Sequence, residues 1–281
     1  MSLAITTRLA RGRVPRSGGV IVATLFLAVL VLAALWPGLF TRIDPLQTEI
    51  SNALAAPSLA HPFGTDQTGR DVFSRVVYGT QHSLVIGLVA TLLALLGGLV
   101  VGTVAGIAPR IVDTVLSRII DVLMAFPELL IALLVIAIVG PGESSLVVAL
   151  AIAGVAVYAR VSRIQTLVVR RSGYVRAAKT LGVHPLITVV RHVVPNTLGP
   201  LLVMATIGFG TSIAAAAGLS FLGLGSAPPT PEWGLILAEG RNFLGTAWWI
   251  AVFPGLAVTG TVIAATVVGR RLLARRAGRS S

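Results

Sequence analysis

Three stretches of this chain, residues 17–41, 83–109 and 242–269, contain no Asp, Glu, Lys or Arg. A helix of about 20 apolar residues crosses the hydrocarbon core of a bilayer, so each stretch predicts a membrane span. Composition agrees. Charged residues make up 11% of the 281, where a soluble domain carries about 25%. A fourth span falls near 119–139 despite Asp121 and Glu128, and a shorter fifth near 144–160. Residues 196–231 are uncharged and too long for one simple helix; they predict a span to about 222 and a Gly/Pro-rich segment after it. The expected fold is an all-α membrane protein with six transmembrane helices.

Charge predicts the orientation. With the N-terminus in the cytoplasm, 18 of the 22 basic residues fall inside: Arg8 to Arg16, Arg110 and Arg118, seven from Arg160 to Arg191, and five from Arg270 to Arg279. Outside lie Arg42, Arg70, Arg75 and Arg241, with seven of the ten acids. Short loops rich in Lys and Arg stay cytoplasmic, so both termini are expected inside. The organisation that follows is a tail over 1–17, a first transmembrane helix over 18–40, an extracytoplasmic segment over 41–82, a five-helix core over 83–269 containing a cytoplasmic loop at 161–195, and a basic tail over 270–281. Ala53-Leu54-Ala55 resembles a signal-peptidase site, but the apolar run before it is longer than a signal peptide uses. An uncleaved anchor is expected.

The chain has no cysteine, which excludes disulfides, thiolate catalysis and Cys-ligated metal. The only lysine, Lys179, follows Ala178, so no phosphate-binding G-x-x-x-x-G-K-[ST] loop exists. His61, His82, His184 and His192 form no H-E-x-x-H, and no G-x-S-x-G occurs. No metal site is expected and no cofactor bound by this chain. Neither ATP hydrolysis nor other catalysis is expected of it.

Two features lie within the spans. Gly98, Gly102 and Gly106 repeat every four residues, as do Gly208, Ser212 and Ala216; small residues at that spacing let helices approach closely, for internal packing or for contact with another subunit. Glu128, beside Pro127 in AFPELL, either is buried against neighbours or lines a polar pathway, since ionisable groups within a membrane mark such paths.

Residues 172–196, SGYVRAAKTLGVHPLITVVRHVVPN, read as a helix-turn-helix. Ser172 is placed to cap the first helix, and Tyr174, Ala177, Ala178 and Leu181 share one face by helical periodicity. Gly182 suits the left-handed residue that ends a helix, and Pro185 suits the first turn of a second helix running to Pro195. Such an elbow either docks a soluble partner or rests its arginines on anionic lipid. In the outer segment, Gly64 and Gly69 punctuate a loop, Asp71 and Arg75 are spaced for an i,i+4 pair, and Trp233 in PPTPEWG suits the membrane interface. Asp66, Arg70, Asp71 and Trp233 either anchor span ends or face an outer gate or extracytoplasmic partner.

The 174–195 segment resembles the E-A-A loop of ABC importer permeases. Ala177 and Ala178, Gly182 at the family spacing, and HVVP ending at Pro195 match it, while Arg176 stands where the family has Glu. Residues 61–84, 121–133, 218–244 and 248–258 resemble dipeptide/oligopeptide permease subunits of the C type, covering most of 60–260. The C-terminus departs from that pattern, reading GRRLLARR from Gly269. The resemblance implies a type I ABC importer permease in the cytoplasmic (inner) membrane of a bacterium. It implies a coupling loop carried by Tyr174, Arg176, Ala177, Ala178, Lys179, Gly182, His192 and Pro195. It implies pairing with a homologous B-type permease, one or two ATPase subunits that bind ATP and Mg, and a solute-binding protein that delivers peptide. Alternatives are a permease for nickel or another solute, a stand-alone channel or scaffold, and an intramembrane enzyme.

Overall fold

The computed structural model describes residues 17–277. Arg8, Arg11, Arg13, Arg16 and Arg279, and with them most of the expected N-terminal tail, lie outside the described residues. Ten α-helices follow in order: α1 Ser17–Leu35, α2 Val72–Ile107, α3 Arg110–Ala125, α4 Glu128–Val139, α5 Glu143–Val169, α6 Gly173–Thr180, α7 Pro185–Thr188, α8 Val194–Phe221, α9 Trp233–Gly240 and α10 Trp249–Ala277. No strand occurs among the described residues.

Five helices are long and apolar enough to span, and a bent pair makes a sixth candidate. That pair stands where one span was expected near 119–139. Pro127 lacks a backbone N–H and disfavours helix at Phe126 before it, so α3 stops at Ala125 and α4 leaves at 95°. Other boundaries also shift. The second span begins at Val72 rather than 83, and its 36 residues measure about 54 Å, well beyond the hydrocarbon core. The expected span at 144–160 is a 27-residue helix. The expected tail from 270 continues α10 as helix to Ala277.

In lipid no hydrophobic force presses apolar helices together, so close packing of small residues holds a bundle. The most extensive pairing is α2 along α5. A methyl group added at Gly98 would overlap Tyr158 Cβ and the Ala159 backbone; at Gly102 it would meet Ser162 Cβ at 2.5 Å, and at Gly106 Thr166 Cγ2 at 2.5 Å. The first glycine stripe thus faces α5 of the same chain. Gly208 of the second stripe lies against the Tyr158 ring, and Ser212 Oγ sits 3.1 Å from Thr91 Oγ1. Gly102→Leu is therefore expected to lose folded protein from detergent extracts in a size-exclusion assay. Overpacking of a tight contact costs about 1–3 kcal/mol or more.

Ion pairs tie α3 to α5. The Arg163 guanidinium donates to both Asp113 carboxylate oxygens at 2.5 and 2.8 Å, and Arg160 pairs with Asp121. These pairs fix α3 at the end of α5 from which the helix-turn emerges.

Candidate functional site

The helix-turn forms as two short helices at a glycine elbow. Gly182 has φ +76°, open to glycine without steric cost. Its N–H donates to Lys179 O and the Val183 N–H to Ala178 O, each at 3.1 Å, the paired bonds of a Schellman ending. Pro185 begins α7, and His184 Nδ1 accepts from the Leu186 N–H at 3.3 Å. Two expectations change here. Ser172 occupies the capping position without a side-chain bond. The second helix does not stop at Pro195: a π turn over Val189–Val193 absorbs the proline's missing N–H, and α8 runs on to Phe221.

The faces of this element differ from simple periodicity. Val175 and Ala178 pack inward, whereas Tyr174, Arg176, Ala177, Lys179 and Pro195 are exposed and His192 is half-buried. Ala178 therefore leaves the face it was expected to share with Tyr174, Ala177 and Leu181. Leu181 is 82% exposed, Leu186 64% and Val190 60%. Beneath the elbow lies a cavity of about 590 Å³ bordered by Pro109, Arg170, Val175 and Thr188, and Arg170 Nη1 donates to Gly106 O at 2.6 Å. The elbow thus hangs from α2 and α5 while presenting large apolar side chains outward. An exposed apolar cluster of that kind marks a contact with protein or with membrane.

At the opposite end of α2, the acidic and basic residues of the outer segment form one buried network. Asp66 Oδ2 accepts from Arg70 Nε and Arg75 Nη1, both at 2.7 Å; Arg75 Nη1 also donates to Glu239 Oε2 at 2.6 Å. Burial alone would raise the Asp66 pKa, but Arg75, Thr68 and Arg70 together hold it below the ordinary carboxylate value. A depressed folded pKa gives stability that is present above the unfolded value and lost as pH falls through the folded one, so the clasp is complete at neutral pH. Asp71 does not pair with Arg75. It caps α2 by accepting from the Ser74 N–H at 2.7 Å and meets His61 Nδ1 at 2.9 Å.

Trp233 is fully buried, its Nε1 donating to Val76 O at 2.9 Å. Asp66, Arg70 and Asp71 are buried too, so in this conformation they brace the outer end and offer little surface to a partner. Sequence reasoning missed Glu239 and Glu232. Glu232 caps α9 by accepting from the Gly234 and Leu235 N–H groups at 2.8 and 2.9 Å. An acid in an otherwise apolar segment was the available signal.

Between these ends, a cavity of about 190 Å³ is lined by Glu128 and Tyr158 together with Gly154, Gly208, Thr211 and Ser212. Pro127 places Glu128 at the bend, in the first turn of α4, where it is exposed.

A helical bundle with five or six candidate spans, a small interior notch, a braced outer end and an elbow with exposed apolar side chains is the architecture of a polytopic membrane protein. Residues 98–278 match the family of binding-protein-dependent transport system inner membrane components, and the chain belongs to that family. Curated relatives include the dipeptide transport system permease protein DppC of Alkalihalophilus pseudofirmus, 39% identical over 89% of this chain and 82% of that protein. The glutathione transport system permease protein GsiD of Escherichia coli is 42% identical over 88% and 82%. The probable D,D-dipeptide transport system permease protein DdpC of Escherichia coli is 37% identical over 91% and 87%. Among solved structures, a chain of the MetNI methionine ABC transporter in an inward-facing conformation superposes with TM-score 0.54 at 20% identity, covering 70% of this chain and 96% of that one. That likeness concerns the fold.

Proposed function

We propose that this chain is one of two permease subunits of an ATP-driven importer of dipeptides and oligopeptides. The observation that carries the reading is the exposed apolar elbow, Leu181 to Val190, on a transport-family bundle with no nucleotide-binding motif. The motor sits on another chain, and the elbow is where its movement enters. One or two ATPase subunits, holding ATP and Mg, seat Tyr174, Arg176, Ala177, Lys179 and Gly182 in a groove, while Ala178, His192 and Pro195 set the angle of the elbow. A homologous B-type permease completes the pathway, and a solute-binding protein delivers peptide to the outer face. The bilayer is the inner membrane of a bacterium, with both termini in the cytoplasm, as the basic loops favour. The relatives named for dipeptides and glutathione support the peptide class.

In this reading Glu128 lines half of the path, and Asp66, Arg70, Asp71 and Trp233 hold the outer gate in shape. The test is purification of the tagged chain from its native membrane in mild detergent, with dipeptide uptake measured in cells lacking it. Recovery of a P-loop ATPase and a second permease, with uptake lost in those cells, is the expected result. Recovery of the chain alone, conducting ions as a homo-oligomer, would put a channel in its place.

A further inference from the structure

Nine of the ten acidic side chains accept a hydrogen bond or form an ion pair. Asp44 and Glu49 accept local bonds; Asp66 and Glu239 hold Arg75; Asp71 and Glu232 cap helices; Asp113 and Asp121 meet arginines of α5; Glu143 faces His82 and Ser226. Glu128 alone has no such partner among the described residues, although it sits deepest in the apolar sequence. A lone charge there is costly and is kept for function by default.

Its surroundings say what would pair with it. The notch shared with Glu128 is lined by the Tyr158, Thr211 and Ser212 side chains, each carrying a hydroxyl that can accept a hydrogen bond. Gly208 and Gly154 give room to the Tyr158 hydroxyl and to Ala94, and Leu150, Val157, Met204 and Ile207 make the rest of the wall apolar. No basic side chain lines the notch. A carboxylate with three hydroxyls beside it in an otherwise apolar wall, and no cation, suits a primary ammonium, whose three N–H donors each need an acceptor. It is a poor set for a transition metal, which takes several N, S or O ligands. The α-amino group of a peptide has a pKa near 7.7–8.0 and arrives mostly protonated.

We infer that the Glu128 notch is a selectivity site that receives the free α-ammonium of the transported peptide, with Tyr158, Thr211 and Ser212 as the surrounding acceptors. The inference rests on the peptide-importer reading and adds to it a discrimination made by the permease itself. It explains why the bend at Pro127 matters: a straight helix would not present the first turn of α4 at this position.

The test is uptake by the whole transporter in cells complemented with wild type, Glu128→Gln or Glu128→Asp at equal membrane levels and equal ATPase recovery. Three probes are used: alanyl-alanine, its N-methyl derivative, which keeps the charge, and its N-acetyl derivative, which does not. Glu128→Gln is expected to slow both charged peptides by about tenfold, the factor that 1.4 kcal/mol of lost pairing gives. Glu128→Asp should retain most of the rate, and the N-acetyl peptide should enter no more slowly in either variant than in wild type. Equal loss for all three probes, or no loss for any, overturns the site but leaves the importer reading standing. A wild type that imports none of them overturns both.

Discussion

Arg75→Met should leave far less folded transporter in the membrane, and what remains should melt well below wild type. The guanidinium is fully buried and bridges Asp66, also fully buried, to Glu239 across the two ends of the outer assembly. Removing Arg75 leaves the two carboxylates with Arg70 as their only compensating charge, and breaking a buried pair costs about 3–5 kcal/mol. Arg70, 2.7 Å from Asp66 through Nε, relieves Asp66 more than Glu239, so most of the strain should fall on Glu239. The triple variant Arg75→Met, Asp66→Asn, Glu239→Gln separates charge from packing. It should recover a large part of the loss, because replacing a whole buried ion group is often near neutral. Fluorescence-detected size-exclusion melting of the detergent-solubilised complex reads both variants. If Arg75→Met melts with wild type, the network has no bracing role.

Leu186→Asp combined with Val190→Asp should do the reverse, leaving the permease folded and stripping away its ATPase. Both side chains are more than half exposed, and exposed substitutions usually shift stability by no more than about 0.5 kcal/mol. At an interface, a well-packed anchor is worth about 2 kcal/mol or more, roughly a thirtyfold change in affinity. Recovery of ATPase with the tagged chain should therefore fall steeply while the melting temperature holds. Unchanged recovery would return the elbow to the alternative of a basic loop resting on lipid.

Several elements could be read before any coordinate was known. Uncharged runs located the spans because a bilayer tolerates little else. The elbow at Gly182 was legible because its signals are local: a glycine that can turn left-handed, followed by a proline that can start a helix. The break at Pro127 was visible as a residue type, but not as a 95° bend, since a helix also absorbs proline, as α8 does Pro200 and α10 Pro254. Pro195 makes the contrast. It too was expected to end a helix, yet a π turn carries α8 past it.

Charge partners were not legible at all. Asp71 and Arg75 have the spacing of a helical pair, but Asp71 lies at the capping position, just before the helix, and its carboxylate is taken by the Ser74 N–H. Arg75 turns instead to Glu239, 164 residues away. Periodicity also put Ala178 on one face with Tyr174, Ala177 and Leu181, whereas packing against the bundle draws it in with Val175. The sequence alone determined that this chain is a membrane bundle with a glycine elbow at 182, because hydropathy, glycine and proline act through the chain's nearest neighbours. Only the tertiary structure decided which charges are braced and that Glu128 has no partner among the described residues, because the partner of a buried charge is chosen by the close packing of helices distant in sequence.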